Sequence, residues 1–224
     1  VDKETGKAVP QGDATLKGAV YGLYAREDIV HPDGATGVIY KAGEQVASLT
    51  TDEKGQASVD GLYLGDYYVK EISPSVGYLA DETEHDLVCN YEGDLVAEVK
   101  RDCLSLEQVM KQPFEIIKAA NNGKTDADLL KGAGFTAYLV SSLTVKEDGS
   151  YDFGSAKPVV IGENGATEIF TDEKGYARSI AIPYGTYIVR ETTTPHNYTP
   201  VNDFIVQITE NHPTTPQVWR VLLD

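Results

Sequence analysis

Lys118 closes the run Phe114-Glu115-Ile116-Ile117-Lys118. Read as a strand, the run alternates with period two, so Phe114, Ile116 and Lys118 share one face. That places an ammonium group on an aromatic and aliphatic surface. Such a charge must be neutralised, paired or consumed. The plainer alternative is a strand-end lysine whose stem snorkels to water. Two carboxyl groups shift the balance. In Tyr187-Ile188-Val189-Arg190-Glu191, alternation puts Tyr187, Val189 and Glu191 on one face, so Glu191 ends an apolar stripe. A terminal aspartate, Asp224, ends the run Val218-Trp219-Arg220-Val221-Leu222-Leu223-Asp224.

The elements that must position these residues occur twice. Leu16-Lys17-Gly18-Ala19-Val20-Tyr21 returns as Leu130-Lys131-Gly132-Ala133-Gly134-Phe135, and Thr51-Asp52-Glu53-Lys54-Gly55 returns as Thr171-Asp172-Glu173-Lys174-Gly175. Gly65-Asp66-Tyr67-Tyr68-Val69-Lys70-Glu71 returns as Gly185-Thr186-Tyr187-Ile188-Val189-Arg190-Glu191, so Glu71 ends an apolar stripe as Glu191 does. The offsets (130 − 16 = 114 and 171 − 51 = 120) leave room for a small insertion in the second copy. The repeat predicts two domains, residues 1–110 and 111–224, with the first strand of the first one truncated. Short alternating runs such as Val20–Tyr24 and Phe135–Leu139 read as strands. Asp-Glu-Lys-Gly reads as a turn whose glycine takes positive φ; too few carboxylates surround it for calcium. The expected fold is all-β, two tandem antiparallel β-sandwiches.

Composition narrows the function. A net charge of −16 over 224 residues disfavours nucleic acid and anionic membranes. No apolar run approaches the roughly 20 residues of a membrane span. Val1-Asp2-Lys3-Glu4 does not read as a signal peptide, and the chain reads as a piece of something longer. Cys89 and Cys103 flank a predicted hairpin, Leu87–Cys89 with Leu95–Val99, turning at Glu92-Gly93-Asp94. That register keeps the cysteines apart, so free, partly buried thiols are expected. Two cysteines and four scattered histidines predict no metal site. Leu104–Met110 reads as an extended segment rather than a helical turn, and Val145–Ser150 as a long exposed loop.

Glycine-x-Tyr-x-Val-x-Glu, a following turn with Pro and Tyr (Pro74 and Tyr78; Pro195 and Tyr198), Gly-Ala-x-Phe/Tyr, and a lysine ending the first strand occur in one order, twice. In this combination the chain resembles the Cna B-type or SpaA-like domain, the prealbumin-like repeat of Gram-positive pilins and surface adhesins. The resemblance implies an intramolecular isopeptide bond between Lys118 and Asp224, with Glu191 as proton shuttle. A water-poor core favours the neutral amine and the protonated carboxyl that this condensation needs. Glu71 is the equivalent acid of the first domain. There the lysine of the family's K-x-D pattern falls before Val1, Lys3 is out of phase, and the partner position points to Asp102 or Leu106. No bond is expected there.

The resemblance thus implies a structural or adhesive stalk module, extracellular and attached to the cell wall. No cofactor and no turnover are expected beyond a single self-crosslinking event. Expected partners are other domains of a longer surface protein, with a host extracellular-matrix protein or a glycan as a second class. A carbohydrate- or host-ligand-binding sandwich is the alternative, and an exposed aromatic platform would distinguish it. A carboxylate-dependent hydrolase is a weaker one: His31, His85, His196 and His212 lie apart, and no nucleophile, zinc or phosphate motif occurs.

Overall fold

The computed structural model describes residues 1–120 and 128–222. The chain forms two compact units, Val1–Val109 and Met110–Asp224. Neither contains an α-helix among the described residues, only two short 3-10 turns, Val140–Ser142 and Glu163–Gly165, in the second unit. Among the described residues no helix is long and apolar enough to cross a membrane.

In the first unit four antiparallel strands form one sheet, in the order Gln45–Thr50, Val20–Ala25, Gly65–Ser73, Glu84–Cys89. The second unit repeats it with Glu168–Phe170, Gly134–Leu139, Gly185–Thr193 and Phe204–Ile208. A further sheet of that unit places Tyr176–Arg178, Phe114–Ala120 and Gln217–Leu222 side by side. The opening strand Phe114–Ala120 runs parallel to the closing strand Gln217–Leu222, with Lys118 opposite Val221. In the first unit the same relation survives as a single parallel bridge, Asp2 to Glu107.

Alternation explains the core of the second unit. Phe114, Ile116, Phe135, Ala137, Tyr187 and Val189 are all at most 1% exposed and belong to one apolar cluster. Trp219 packs against that cluster with its ring tilted on Phe204. The first unit has a smaller cluster around Tyr21, Leu23, Tyr67 and Val69.

The two most visible repeated motifs hold each other. Thr171 Oγ1 donates to Leu130 O at 2.7 Å and accepts from Ala133 N at 2.9 Å. Thr51 does the same with Leu16 O and Ala19 N, at 2.7 and 3.0 Å. The aspartate that follows closes the turn. Asp172 Oδ1 accepts from Lys174 N and Tyr176 N, and Asp52 Oδ1 from Lys54 N and Gln56 N. Gly175 completes the turn at φ +73°, where a side chain would lie 2.6 Å from Lys118 O. The turn is therefore pressed against the strand that carries the buried lysine.

Three local expectations fail. Glu84–Cys89 pairs with Gly65–Ser73 rather than with residues 95–99, which form no strand. Turn chemistry at Glu92-Gly93-Asp94 was outweighed by the longer ladder that the sheet offers. Both cysteines are free, but Cys103 is exposed rather than partly buried. The 145–150 stretch is exposed, as expected, but it is not a long loop: Thr144–Val145 pairs with Tyr151–Asp152, and residues 146–150 are the turn of a short hairpin. Leu104–Met110 is extended, as expected, with bridges at Glu107 and Val109.

Gly175→Ala should destabilise the second unit by roughly 1–3 kcal/mol, through positive φ and the close carbonyl together. Gly149→Ala, at φ +82° with nothing within 4 Å of a Cβ, should cost only about 1 kcal/mol. Thermal unfolding of both variants checks this, and equal losses would contradict the close approach at Gly175.

Candidate functional site

Period-two counting places Lys118 inward, and the structure agrees: it is fully buried, on the same face as Phe114 and Ile116. Its backbone is fixed on both sides, since Lys118 N donates to Gly175 O and Lys118 O accepts from Leu130 N. Across the core, Glu191 ends the stripe Tyr187, Val189, Glu191 on strand Gly185–Thr193. Lys118 Nζ donates to Glu191 Oε2 at 2.8 Å, and both side chains are 0% exposed. Val201 N donates to the same oxygen, also at 2.8 Å. Glu191 Oε1 is buried and has no hydrogen-bond partner among the described residues.

Two of the three residues singled out for the second unit are therefore in contact. Asp224 lies outside the described residues. What is described is the strand leading to it, parallel to the lysine strand and in register from Gln217 opposite Phe114 to Leu222 opposite Ala119. Such a site holds a buried amine, a carboxylate in contact with it, and a polar oxygen left over. An arrangement of this kind can exchange a proton between amine and acid in a space that excludes water. Among the described residues no group of three His, Cys, Asp or Glu is arranged to hold a metal ion.

The first unit builds the same corner from other residues. Glu71 Oε2 accepts from Asp81 N at 2.8 Å, and Glu71 Oε1 is buried with no partner among the described residues. The acid of the closing segment whose charge acts on Glu71 is Glu107, not Asp102. Asp102 is exposed and Leu106 is 44% exposed, whereas Glu107 is 4% exposed. The parallel bridge to Asp2 sets this register and turns Glu107 inward. Glu107 Oε1 accepts from Tyr21 Oη at 2.6 Å and from Ser105 Oγ at 2.5 Å, while Oε2 is left without a partner among the described residues. Tyr21 takes the place of Phe135 in the repeat, so one added hydroxyl serves one added carboxyl.

Asp2 is fully buried as well, and accepts from the main chain of Glu4 and Thr5, from Gln11 and from Tyr78 Oη. Burial alone would raise its pKa, but these donors hold it below the usual range. Lys3 is exposed. Glu107 and Tyr21 were missed in the sequence because Glu107-Gln108-Val109 sits in a stretch with no regular alternation around it. The buried Val109, two residues on, is the signal that could have placed Glu107 inward.

Glu71 is pushed up to about 7, first by burial and then by the charges of Glu107 and Asp81, with the Asp81 N–H pulling the other way. Tyr21 is raised by burial and by its bond to Glu107.

Comparison with known proteins places the chain in a family. The family model for the SpaA prealbumin-like fold domain matches residues 4–102 and again 113–220. The chain belongs to that family. A search of curated proteins gives no match. Among solved structures, the Bacillus anthracis TIE protein is similar at 20% identity and a TM-score of 0.58; all of this chain is covered, and it spans 32% of that one. A minor pilin of Streptococcus agalactiae aligns over 94% of this chain and 85% of its own, at 18% identity and a TM-score of 0.37. The shaft pilin SpaA of Lactobacillus rhamnosus GG aligns over 93% of this chain and 88% of its own, at 17% identity and a TM-score of 0.33. The first of these shares the fold of the SpaA-like units.

The raised Glu71 carboxyl has a consequence with a definite sign. Its folded value of about 7 lies above the ordinary 4.5, so the folded first unit binds the proton more tightly than the unfolded chain. Its contribution is most favourable below the ordinary value and is lost as pH rises through about 7. The first unit should therefore melt higher near pH 5.5 than at pH 8, and Glu71→Gln should flatten that difference. A wild-type melting temperature that does not fall between those two pH values would contradict it.

Proposed function

We propose that the chain is a load-bearing stalk piece of a bacterial surface or pilus protein, each unit one stalk domain. In this reading the second unit is locked by an amide between Lys118 and Asp224. The observation that carries it is the Lys118–Glu191 contact at 2.8 Å with both side chains fully buried. A buried ion pair is a poor source of stability, because desolvation of both charges offsets their attraction. Condensation removes that cost, since the amine and one carboxyl cease to be ionisable.

The step balances as follows. Glu191 takes a proton from the Lys118 ammonium, leaving a neutral amine. Nζ attacks the Asp224 carboxyl carbon, and the N–C bond forms as one C–O bond breaks. Glu191 returns that proton to the departing hydroxyl, which leaves as water, and then takes up the second proton that Nζ sheds on becoming an amide nitrogen. The reaction occurs once per molecule, so the protein is no enzyme in the turnover sense. Support for Asp224 as electrophile is positional: Val221 stands opposite Lys118, and Asp224 comes three residues later in the sequence.

Function follows from where the link lies. Joining first and last strands closes a loop of about a hundred residues, worth ~4–5 kcal/mol by the crosslink-entropy model. It also puts a covalent bond where tension enters and leaves the domain. Family membership supports a place on the outer surface of a Gram-positive cell, attached to its wall, with other domains of a longer protein as first partners. Host-matrix protein or glycan binding is a further role open to such a module.

Intact mass spectrometry tests the lock. The folded chain should be lighter than its sequence mass by one water, about 18 Da by the stoichiometry of condensation. Lys118→Ala and Glu191→Ala should each abolish the loss and make the second unit easier to melt and digest. A full unreacted mass after complete folding would leave a buried Lys118–Glu191 ion pair instead. Tryptic mapping of the first unit should find no crosslink; a peptide joining Lys3 to Asp102 would overturn that part.

A further inference from the structure

Glu71 and Glu191 share a feature that neither strand alternation nor the family pattern supplies. Each accepts a main-chain N–H from the residue ten positions later, on Oε2, at 2.8 Å: Asp81 to Glu71, Val201 to Glu191. Each keeps Oε1 buried and without a partner among the described residues. The turns that deliver the two N–H groups differ in sequence. One contains Gly77 at φ +84° and closes with Tyr78 N on Ser75 O; the other contains Asn197 at φ +69° and closes with Tyr198 N on Pro195 O. Different residues thus deliver the same donor to the same oxygen. In the second unit that oxygen is also the one that meets Lys118 Nζ.

We infer that these two main-chain N–H groups, of Val201 and Asp81, are positioning groups for the buried glutamates. Each pins Oε2, in the second unit against the lysine whose proton that oxygen takes, and leaves Oε1 without a hydrogen bond among the described residues. The physical reason is the character of the donor. A peptide N–H is a strong donor that cannot titrate and carries no net charge. It fixes the carboxylate rotamer without competing with Lys118 as a second cation would. A glutamate with both oxygens free to rotate would spend part of its time with neither facing the amine.

For Val201 the rate effect rests on the crosslink proposed above. The experiment follows water loss by mass spectrometry in the refolding chain, over a range of pH. Val201→Pro keeps apolar bulk and deletes the N–H, and should slow water loss about tenfold or more, the scale of one hydrogen bond to a charged group. Asn202→Pro disturbs the same loop but leaves the Val201 donor, and should slow it far less. A folded Val201→Pro chain that reacts at the wild-type rate, with the wild-type pH profile, would overturn the inference.

If the wild-type chain loses no water, the crosslink fails, and the first unit still decides the positioning role. There Glu107 and Tyr21 face Glu71 in every variant, so the comparison isolates the donor. Carbon-13 NMR of the Glu71 carboxyl should give a higher titration midpoint in Asp81→Pro than in Asp81→Ala, by about one pH unit. Both variants lack the Asp81 carboxyl, and only the first lacks the N–H. Coincident curves would overturn the inference. Should either proline variant fail to fold, the unmutated chain serves: the Asp81 amide proton should shift with pH along the Glu71 carboxyl curve, and an amide that ignores that titration would overturn it.

Discussion

A lysine ammonium at zero exposure has few stable arrangements. It needs an acceptor, a fixed backbone and a shell that keeps water out, and the second unit supplies all three. Glu191 is the acceptor at 2.8 Å. Gly175 and Leu130 fix the backbone of Lys118 through hydrogen bonds on either side. Phe114 and Ile116 occupy the same strand face and belong to the unit's main apolar cluster. The Asp-Glu-Lys-Gly turn and the threonine clamp recur in the first unit without such a lysine, so they belong to the shared framework; in the second unit that framework presses Gly175 against the main chain of Lys118.

The first unit indicates which parts of this arrangement can change. Its sheet order, its clamp threonine and the N–H on its glutamate are the same. The groups facing that glutamate are not. Where the second unit sets a cation against Glu191, the described first unit sets Glu107, with Tyr21 bonded to it, beside Glu71. A pair of carboxyl groups in a dry corner can coexist only if one tends to hold its proton, which is the direction in which Glu71 is displaced. One framework therefore accommodates two charge states, set by a handful of side chains.

Much of this was legible in the sequence because period two is a strong signal on strands with one buried face. Lys118, Glu71 and Glu191 were each placed inward by counting alone, and the repeated motifs announced two domains before any coordinates. What was not legible depended on register between distant segments. Glu107 turns inward because it lies beside Asp2, more than a hundred positions away in the chain, and no local pattern encodes that pairing. The supposed hairpin after Cys89 failed for the same reason in reverse. A local turn signal was plausible, but a six-residue ladder with strand Gly65–Ser73 won. The hydrogen bond from Val201 to Glu191 also needed coordinates, because main-chain donors leave no trace in residue type.

The parallel pairing of Phe114–Ala120 with Gln217–Leu222 determines how the second unit resists being stretched. If the start of one strand is drawn away from the end of the other, the six register pairs slide along their common axis and are strained together. An antiparallel pair pulled from neighbouring ends would instead peel open one hydrogen bond at a time. Shear of this kind concentrates resistance in a short displacement, so the ladder is stiff before it is strong. The buried lysine sits in the fifth of those six pairs and Phe114, equally buried, in the first, so the inward face of the lysine strand is shielded from water along the whole length that is sheared.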